Sequence, residues 1–260
     1  MSSDIHYFLA VRKTTEALCE HLLLEDYHLQ PMDDVSPPKW HLAHTTWFFE
    51  TFILKAFSDY HCVDPHYDFL FNSYYETVGP RWQRAARGDL SRPPVADIYT
   101  YRAAVNTAIQ QRYDQLSSRQ RMLLELGIHH EQQHQELLLT DLKYSLGINP
   151  LFPALLSTEA PQSCLSGPEM PSWHRIPPGV YTIGHEGDDF CFDNEKGLHQ
   201  VFINPCDIAL QVVTNREYLA FMASGGYGHS RYWRSDGWDW VQSEKISAPL
   251  HWHQRDGDWF

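Results

Sequence analysis

The sequence predicts an α+β protein, in which a four-helix bundle over residues 1–150 precedes a smaller domain of mixed α and β character over residues 173–260. Apolar residues recur at helical spacing through most of the first part. Near residue 150 the composition changes, and short β-like runs follow that are separated by Gly, Asp and Asn. A hydrophobic fraction of 43% over 260 residues is sufficient for a sizeable core.

Two helices are predicted before residue 58. Residues 4–30 form the first, with one apolar stripe that contains Leu9, Leu18, Leu22 and Leu23. The Ser36-Pro37-Pro38 stretch indicates a helix start, with Ser36 as the N-cap and proline at the first helical position. This second helix is expected to end near Phe57.

The remainder of the bundle consists of one long irregular segment and two more helices. Residues 59–94 are rich in Tyr, Pro, Gly and Arg, and a loop of this length inside a compact domain usually serves a functional site. A third helix is expected over residues 95–116. Ser117 or Ser118 then caps a fourth helix, which ends at Gly147 before Asn149-Pro150.

A change in amino-acid composition indicates a second domain. Residues 151–172 are rich in Pro, Ser and Ala, which is typical of a linker. Two β-like runs follow, GVYTIG at residues 179–184 and HQVFINPCDIAL at residues 199–210.

Charge and composition exclude several classes of partner. The formal net charge is −13, which argues against nucleic acid and against an anionic membrane surface, because both attract clustered Lys and Arg. No apolar stretch approaches the length of a membrane span. Five scattered cysteines without a CxxC motif favour a reducing compartment, and no signal peptide is recognisable, so a cytoplasmic location is expected.

Histidine is unusually frequent, with 16 residues, and three of them fall within HHEQQHQE at residues 129–136. His130 and His134 are four residues apart, which places both imidazoles on one face of a helix, about one turn apart. A third ligand can come from HLAH at residues 41–44 on the second helix, where His44 precedes apolar residues. The alternatives are a solvated polar helix face and an ordinary core histidine.

The spacing of the histidines does not determine which metal would bind or which reaction it would catalyse. His130-Glu131-Gln132-Gln133-His134 matches the HExxH pattern of zinc peptidases, in which Glu131 would be the general base. Three imidazoles without a carboxylate can hold Zn²⁺, or Fe²⁺ with open positions for substrate and O₂. A metal-binding bundle without catalytic activity is the third alternative.

Several segments in order along the chain resemble the non-heme iron sulfoxide synthases of ergothioneine biosynthesis: SPPKWHLAHTTWFFETFIL, NSYYETVGPRWQRAARGDLSRP, HHEQQHQELLLTDLKY and IPPGVYTIG. The resemblance implies a DinB-like four-helix bundle joined to a domain similar to formylglycine-generating enzyme, with a C-type-lectin-like fold. It also implies an Fe(II) enzyme that uses O₂ to join sulfur from cysteine or γ-glutamylcysteine to the imidazole of hercynine, leaving a sulfoxide.

Site residues follow from the same resemblance. The iron ligands would be His44, His130 and His134, and Gln133 would contact the imidazole of hercynine. A tyrosine pair in NSYYE, Tyr75 and Tyr74, matches one branch of the family and would supply an active-site proton. Arginines in the following stretch would bind the carboxylate of the thiol substrate: Arg84 and Arg87, with Arg81 and Arg92 as alternatives.

The resemblance leaves some points open. In that family the second domain continues well beyond the position that matches Phe260, and the continuation binds the trimethylammonium and carboxylate of hercynine. We therefore expect sulfoxide synthase activity from the longer members of the family and not from these 260 residues alone. The thiol donor is open, and relatives that make an ovothiol-type regioisomer or insert selenium remain alternatives.

Overall fold

Helices occupy the first part of the chain and short strands the second, which confirms the α+β class. The computed structural model describes residues 5–73, 79–155 and 172–260. The chain divides into two compact units, Met1–Thr158 and Glu159–Phe260.

Among its described residues, the first unit contains four long α-helices and one short one, namely α1 (Ile5–Leu18), α2 (Pro38–Phe52), α3 (Tyr67–Leu70), α4 (Val95–Arg112) and α5 (Ser118–Gly147). Helix α2 packs against both α4 and α5, and α1 packs against α5. The core between them is rich in aromatic and branched aliphatic side chains, including Phe8, Trp47, Phe49, Ile98 and Leu138. The four long helices therefore form the predicted bundle around one apolar core.

Helix α2 lies at the centre of this bundle. Every residue from Pro38 to Glu50 is buried, including its polar members. A helix buried on all sides must find partners for each polar side chain it carries. Its two histidines, His41 and His44, are therefore held inside the bundle and not on a solvated face.

The ends of α5 agree with the sequence. Ser117 is the N-cap, its hydroxyl accepts a hydrogen bond from the backbone N–H of Gln120, and the Gln120 side chain accepts from the N–H of Ser117. This reciprocal pair is a capping box. The helix ends at Gly147 as predicted.

Several predicted helix boundaries were wrong. The second helix, expected to end near Phe57, ends as α2 at Phe52, and a separate 3₁₀ turn follows at Leu54–Ala56. The first helix ends at Leu18, and residues Leu24–His28 form a separate 3₁₀ turn in which the Asp26 carboxylate accepts from the N–H of Leu23, so a local side-chain contact replaces helix continuation. Ser36 is not the N-cap of α2, because Pro37 holds that position and the Ser36 hydroxyl accepts a hydrogen bond from Arg87 instead.

The irregular segment after α2 is partly ordered by short turns. It contains α3 and a 3₁₀ helix at Arg84–Asp89. The third predicted helix extends as α4 to Arg112 and then tightens into a 3₁₀ turn, Tyr113–Gln115. Residues 74–78 of this segment lie outside the described residues.

The second unit contains short strands paired two by two: β1 (Trp173–Ile176) with β4 (Cys206–Ala209), β2 (Gly179–Ile183) with β3 (His199–Ile203), and β5 (Gln254–Arg255) with β6 (Asp258–Trp259). All three pairs are antiparallel. The predicted run at 199–210 is divided into β3 and β4 by Asn204-Pro205, since proline cannot donate to a ladder. Two helices, α6 (Asn215–Ala223) and α7 (Ser235–Ser243), follow β4.

Membrane insertion through a helix has no support in the described parts of the chain, where every helix is too short or too polar to cross a bilayer.

Helix α5 approaches α2 closely at Gly127. A Cβ atom at this position would meet the rings of Phe49 and Phe48 on α2 at less than the distance that real Cβ atoms adopt. Gly127→Ala is therefore expected to lower the free energy of unfolding by about 1–3 kcal/mol, because the packed rings have little room to move. Urea denaturation measures this loss.

Gly237 in α7 provides the matched control for this change. Its Cβ would lie 3.5 Å from Trp233, an ordinary contact. Gly237→Ala should leave stability unchanged or raise it by up to about 1 kcal/mol, as alanine favours helix. Equal behaviour of the two variants would contradict the close approach of α2 and α5.

Candidate metal centre

The histidines meet because α2 and α5 run antiparallel with a fixed register. His44 of α2 faces His130 of α5, with 3.3 Å between their Nε2 atoms. One turn earlier on α2, His41 faces His134, with 2.9 Å between their Nδ1 atoms. Two polar strips with helical spacing thus lie against one another inside the bundle.

Three of these rings converge on one point. One ring nitrogen from each of His44, His130 and His134 lies within 4.8 Å of the others. Imidazole nitrogens bind divalent metals at about 2.0–2.1 Å, so neighbouring ligands around one ion stand roughly 3.0–3.4 Å apart. The 3.3 Å between the Nε2 atoms of His44 and His130 falls in that interval. The cluster is therefore close to the geometry that a metal ion needs.

The tautomer of His44 also suits a metal ligand. Its Nδ1 lies 2.6 Å from the carbonyl oxygen of Phe71, which can only accept a hydrogen bond. Nδ1 must then carry the proton, and Nε2, which faces His130, is left with its lone pair. An outer hydrogen bond of this kind fixes the orientation of metal-bound imidazoles in proteins.

The environment keeps the three histidines neutral. Burial lowers the pKa of His130 to about 4. Burial, together with the neighbouring imidazoles, lowers the pKa values of His44 and His134 well below their ordinary value. Histidine binds metal only in its neutral form, so at neutral pH all three side chains are ready to bind without losing a proton.

Aromatic rings enclose the cluster on the α2 side. The Trp40 ring stacks on His44, with centroids 4.4 Å apart and planes 11° from parallel, and Trp47 stacks on the same imidazole at 5.6 Å. Phe48 lies 5.0 Å from the His130 ring. These rings restrict the rotamers of the histidines and exclude water from that side of the cluster.

Glu131 is fully buried on a different face of α5 from the histidines. Its two carboxylate oxygens accept hydrogen bonds from Arg12 at 2.8 Å, from Arg102 at 2.9 Å and from the Thr15 hydroxyl at 2.7 Å. Burial raises the pKa of Glu131, but the charges of the two arginines and these hydrogen bonds outweigh it and lower the pKa to about 2. The side chain thus ties α5 to α1 and α4.

This arrangement counts against the zinc-peptidase interpretation of HExxH. A general base needs a pKa near the working pH and an oxygen that points at a metal-bound nucleophile. The oxygens of Glu131 are instead occupied by two guanidinium groups, and the carboxylate holds a proton only in strong acid. The HExxH match therefore arises because α5 places His130 and His134 on one face and Glu131, which pairs with two arginines in the core, on another.

The two arginines of the sequence prediction occupy different environments. Arg87 is buried, its guanidinium lies 3.3 Å from the centroid of Trp40, and it donates hydrogen bonds to the hydroxyl groups of Ser36 and Ser73. Arg84 donates to the backbone carbonyl of Asp34. Arg87 is thus joined to the histidine cluster through the Trp40 ring, whereas Arg84 contacts the segment that precedes α2.

The family model of the DinB superfamily matches residues 7–138, which is more than half of the chain and includes all three converging histidines. The chain belongs to the DinB superfamily. Its first unit is therefore a DinB-like helical domain.

Curated relatives extend over most of the chain. The hercynine oxygenase of Mycolicibacterium smegmatis is 28% identical over 233 residues, which cover 88% of this chain and 52% of that protein. The hercynine oxygenases of Mycolicibacterium thermoresistibile and Mycobacterium tuberculosis are 26% and 27% identical over 222 residues, or 84% of this chain. The chain spans about half the length of the curated relatives it matches.

The remaining predicted site residues are placed as follows. Gln133 precedes His134 on α5 and is exposed, so it is accessible to a ligand. Tyr74 and Tyr75 lie outside the described residues, and their predicted role as proton donors stays a prediction.

Several residues around the cluster were not identified from the sequence. Trp40 lies next to His41 in HLAH but looked like ordinary core, and Arg12 and Arg102 lie 119 and 29 residues from Glu131. Asp141, which contacts His41, follows His134 by seven residues, or about two helical turns. That spacing was the available signal for Asp141. The arginines offered no local signal at all.

Proposed function

We propose that this chain contains the metal centre of a non-heme Fe(II), O₂-dependent sulfoxide synthase that acts on small molecules. It would join the sulfur of cysteine or γ-glutamylcysteine to the imidazole of hercynine, as in ergothioneine biosynthesis. The observation that supports this most is the convergence of His44, His130 and His134 in a chain whose relatives are named hercynine oxygenase. The converging histidines support a metal site, and the name of the relatives suggests hercynine as the substrate.

His44, His130 and His134 would hold the iron. Three imidazoles without a carboxylate suit Fe(II) and leave other positions for exogenous ligands. When bound, iron supplies the one-electron chemistry with O₂ that amino-acid side chains cannot perform. Neutral, preoriented imidazoles in a water-poor pocket would favour loading of the metal without proton release.

Other residues of the chain would bind and orient the substrates. Gln133, exposed beside His134, would contact the imidazole of hercynine. Arg87, whose guanidinium lies over the Trp40 ring, would bind the carboxylate of the thiol substrate, with Arg84 as the other candidate. Tyr75, or Tyr74 in its place, would donate a proton during the reaction.

Residues 1–150 would form the metal-binding domain of this enzyme, and residues 151–172 a linker. Residues 173–260 would belong to a domain similar to formylglycine-generating enzyme. A cytoplasmic location is part of the same proposal, because Fe(II) and free thiols persist in a reducing compartment.

Product formation tests this proposal. The protein is loaded with Fe(II) without oxygen, then given O₂, hercynine and either thiol, and the products are analysed by mass spectrometry. Because the chain spans about half of its relatives, it is assayed alone and after fusion to the part of the M. smegmatis protein that it does not match. We expect a sulfoxide of joined hercynine and thiol from the fusion, and none from its His134→Ala variant.

Two other outcomes would change the assignment. Iron bound at one equivalent without product in either form would indicate a metal-binding bundle that is not catalytic. Cleavage of peptides by the zinc-loaded protein would support the peptidase interpretation.

Gln133→Ala provides a prediction for substrate binding. Loss of one hydrogen bond to hercynine should weaken its binding about 5–10-fold while iron content stays the same. Titration calorimetry on the iron-loaded fusion measures the affinity. Gln132→Ala is the matched control, because Gln132 donates to the hydroxyl of Tyr7. Equal losses in both variants would contradict the role of Gln133.

A further inference from the structure

A chain of hydrogen bonds leads away from His134 into the bundle. His134 Nδ1 lies 2.9 Å from His41 Nδ1, and His41 Nε2 lies 3.0 Å from Asp141 Oδ2. The same carboxylate oxygen accepts a hydrogen bond from the backbone N–H of Ser36 at 2.9 Å. The His41 side chain is 2% exposed and that of Asp141 15%, so water competes little for these contacts.

The Asp141 carboxylate, at the far end of these hydrogen bonds, determines the positions of the protons on both imidazoles. The Asp141 carboxylate can only accept, so Nε2 of a neutral His41 must carry the proton and its Nδ1 must be bare. Two bare nitrogens cannot approach to 2.9 Å, so Nδ1 of His134 must donate to Nδ1 of His41. His134 is left with a lone pair on Nε2. A ligand to a metal in the cluster needs this tautomer.

The helix register explains why these residues can meet. Asp141 follows His134 by about two turns on α5, and His41 precedes His44 by about one turn on α2, so these polar residues share the faces on which the two helices meet. Ser36 lies just before α2 begins at Pro38. Its backbone N–H donates to the Asp141 carboxylate and so holds this carboxylate at the level of His41.

We propose that His41 and Asp141 are positioning residues that set the tautomer and ring orientation of His134 for metal binding. This inference rests on the proposed metal centre. Carboxylate–histidine pairs beyond a ligand raise its basicity and fix its ring, and their loss typically costs about 10–100-fold in metal affinity. Here the outer partner is a second histidine, which transmits the orienting effect of the carboxylate across the helix interface.

The hydrogen-bonded series of His134, His41 and Asp141 is called the relay below. Metal affinity in paired variants tests its role. Asp141→Leu and His41→Leu remove the acceptors and should each weaken Co²⁺ and anaerobic Fe²⁺ binding about 10–100-fold in chelator competition. Asp141→Asn keeps an oxygen that can accept from His41 and Ser36, and His41→Asn places an amide oxygen near the position of Nδ1. Both asparagine variants should stay within about 5-fold of the parent.

Tyr101→Phe separates positioning from stability. The Tyr101 hydroxyl donates to Glu50 at 2.6 Å inside the same bundle, and neither residue belongs to the hydrogen-bonded series of His134, His41 and Asp141. Its loss should lower the melting temperature of the metal-free protein without changing metal affinity. The proposal is overturned if Tyr101→Phe weakens metal binding as much as the leucine variants do, if the asparagine variants lose as much as the leucine variants, or if all four relay variants bind like the parent.

Histidine tautomers in the parent protein give a test that needs no variant. Long-range ¹H–¹⁵N correlation spectra of the metal-free chain with labelled histidine should show His41 protonated on Nε2 and His134 protonated on Nδ1. His41 protonated on Nδ1 would overturn the relay even if the leucine variants fail to fold. If the parent chain binds neither metal while the tautomers are as expected, the proposed metal centre fails and the relay is a structural contact.

Discussion

Replacing His134 with alanine is expected to abolish stoichiometric metal binding. The three converging imidazoles leave no described carboxylate or thiolate in the cluster that could take the vacated place. Two remaining histidines bind a divalent ion far more weakly than three, and the imidazole that lies 6.1 Å from the Trp40 ring in a tilted arrangement is also lost. Metal analysis after anaerobic loading and desalting measures the effect, and we expect about one Fe per chain in the parent and less than about a tenth in the variant.

His129→Ala is the matched control for this experiment. His129 lies on the same helix, next to His130, but is not a member of the cluster. The variant should keep one equivalent of iron. Full iron content in His134→Ala, or its loss in both variants, would contradict a site built from His44, His130 and His134.

Replacing Glu131 with glutamine is expected to destabilise the fold strongly without removing the metal. The change leaves Arg12 and Arg102 in the core with one negative charge fewer, and breaking a buried ion pair in this way costs about 3–5 kcal/mol. The free energy of unfolding, measured with urea, should fall by this amount. The folded fraction should keep iron and, in the fusion protein, sulfoxide formation, because the carboxylate does not face the cluster.

Glu50→Gln is the matched control, since Glu50 is also buried but accepts hydrogen bonds from neutral donors, Tyr60, Tyr101 and the backbone of Val63. Its cost should be smaller, near that of one hydrogen bond, or about 1 kcal/mol. If Glu131→Gln kept full stability and lost all activity with metal still bound, Glu131 would be a catalytic base and the peptidase interpretation would be favoured.

The contribution of Glu131 also has a defined pH dependence. Its pKa in the folded protein is about 2, below the ordinary value of 4.5. An acid whose pKa is lowered by folding contributes its full stabilisation when the pH is above its pKa in the unfolded protein. This stabilisation is lost as the pH falls through its pKa in the folded protein. The difference in unfolding free energy between the parent and Glu131→Gln should therefore shrink as the pH falls from about 4.5 toward 2.

Local patterns in the sequence were sufficient for the helical bundle and for the expectation that His44, His130 and His134 lie close together. The spacing of His130 and His134 fixes their common face, and the apolar residues after His44 indicate that it points inward. The capping box at Ser117 is also a local signal. These features depend on contacts within about one helical turn, which a sequence displays directly.

Long-range contacts could not be deduced in the same way. Glu131 looked like a member of the HExxH motif because the sequence does not show that Arg12 and Arg102 reach it from two other helices. The pairing of His41 with Asp141 depends on the antiparallel register of α2 and α5, which is set by packing across the bundle. Ser36 likewise serves Arg87 and Asp141 rather than capping its own helix.

Anomalous diffraction at the iron edge, from crystals of the chain loaded with Fe(II) without oxygen, tests the central claim most directly. We predict one iron peak about 2.0–2.2 Å from a ring nitrogen of each of His44, His130 and His134, with Nε2 of His134 as its ligand atom. A peak bound to other residues, or none at the three histidines, would contradict the account.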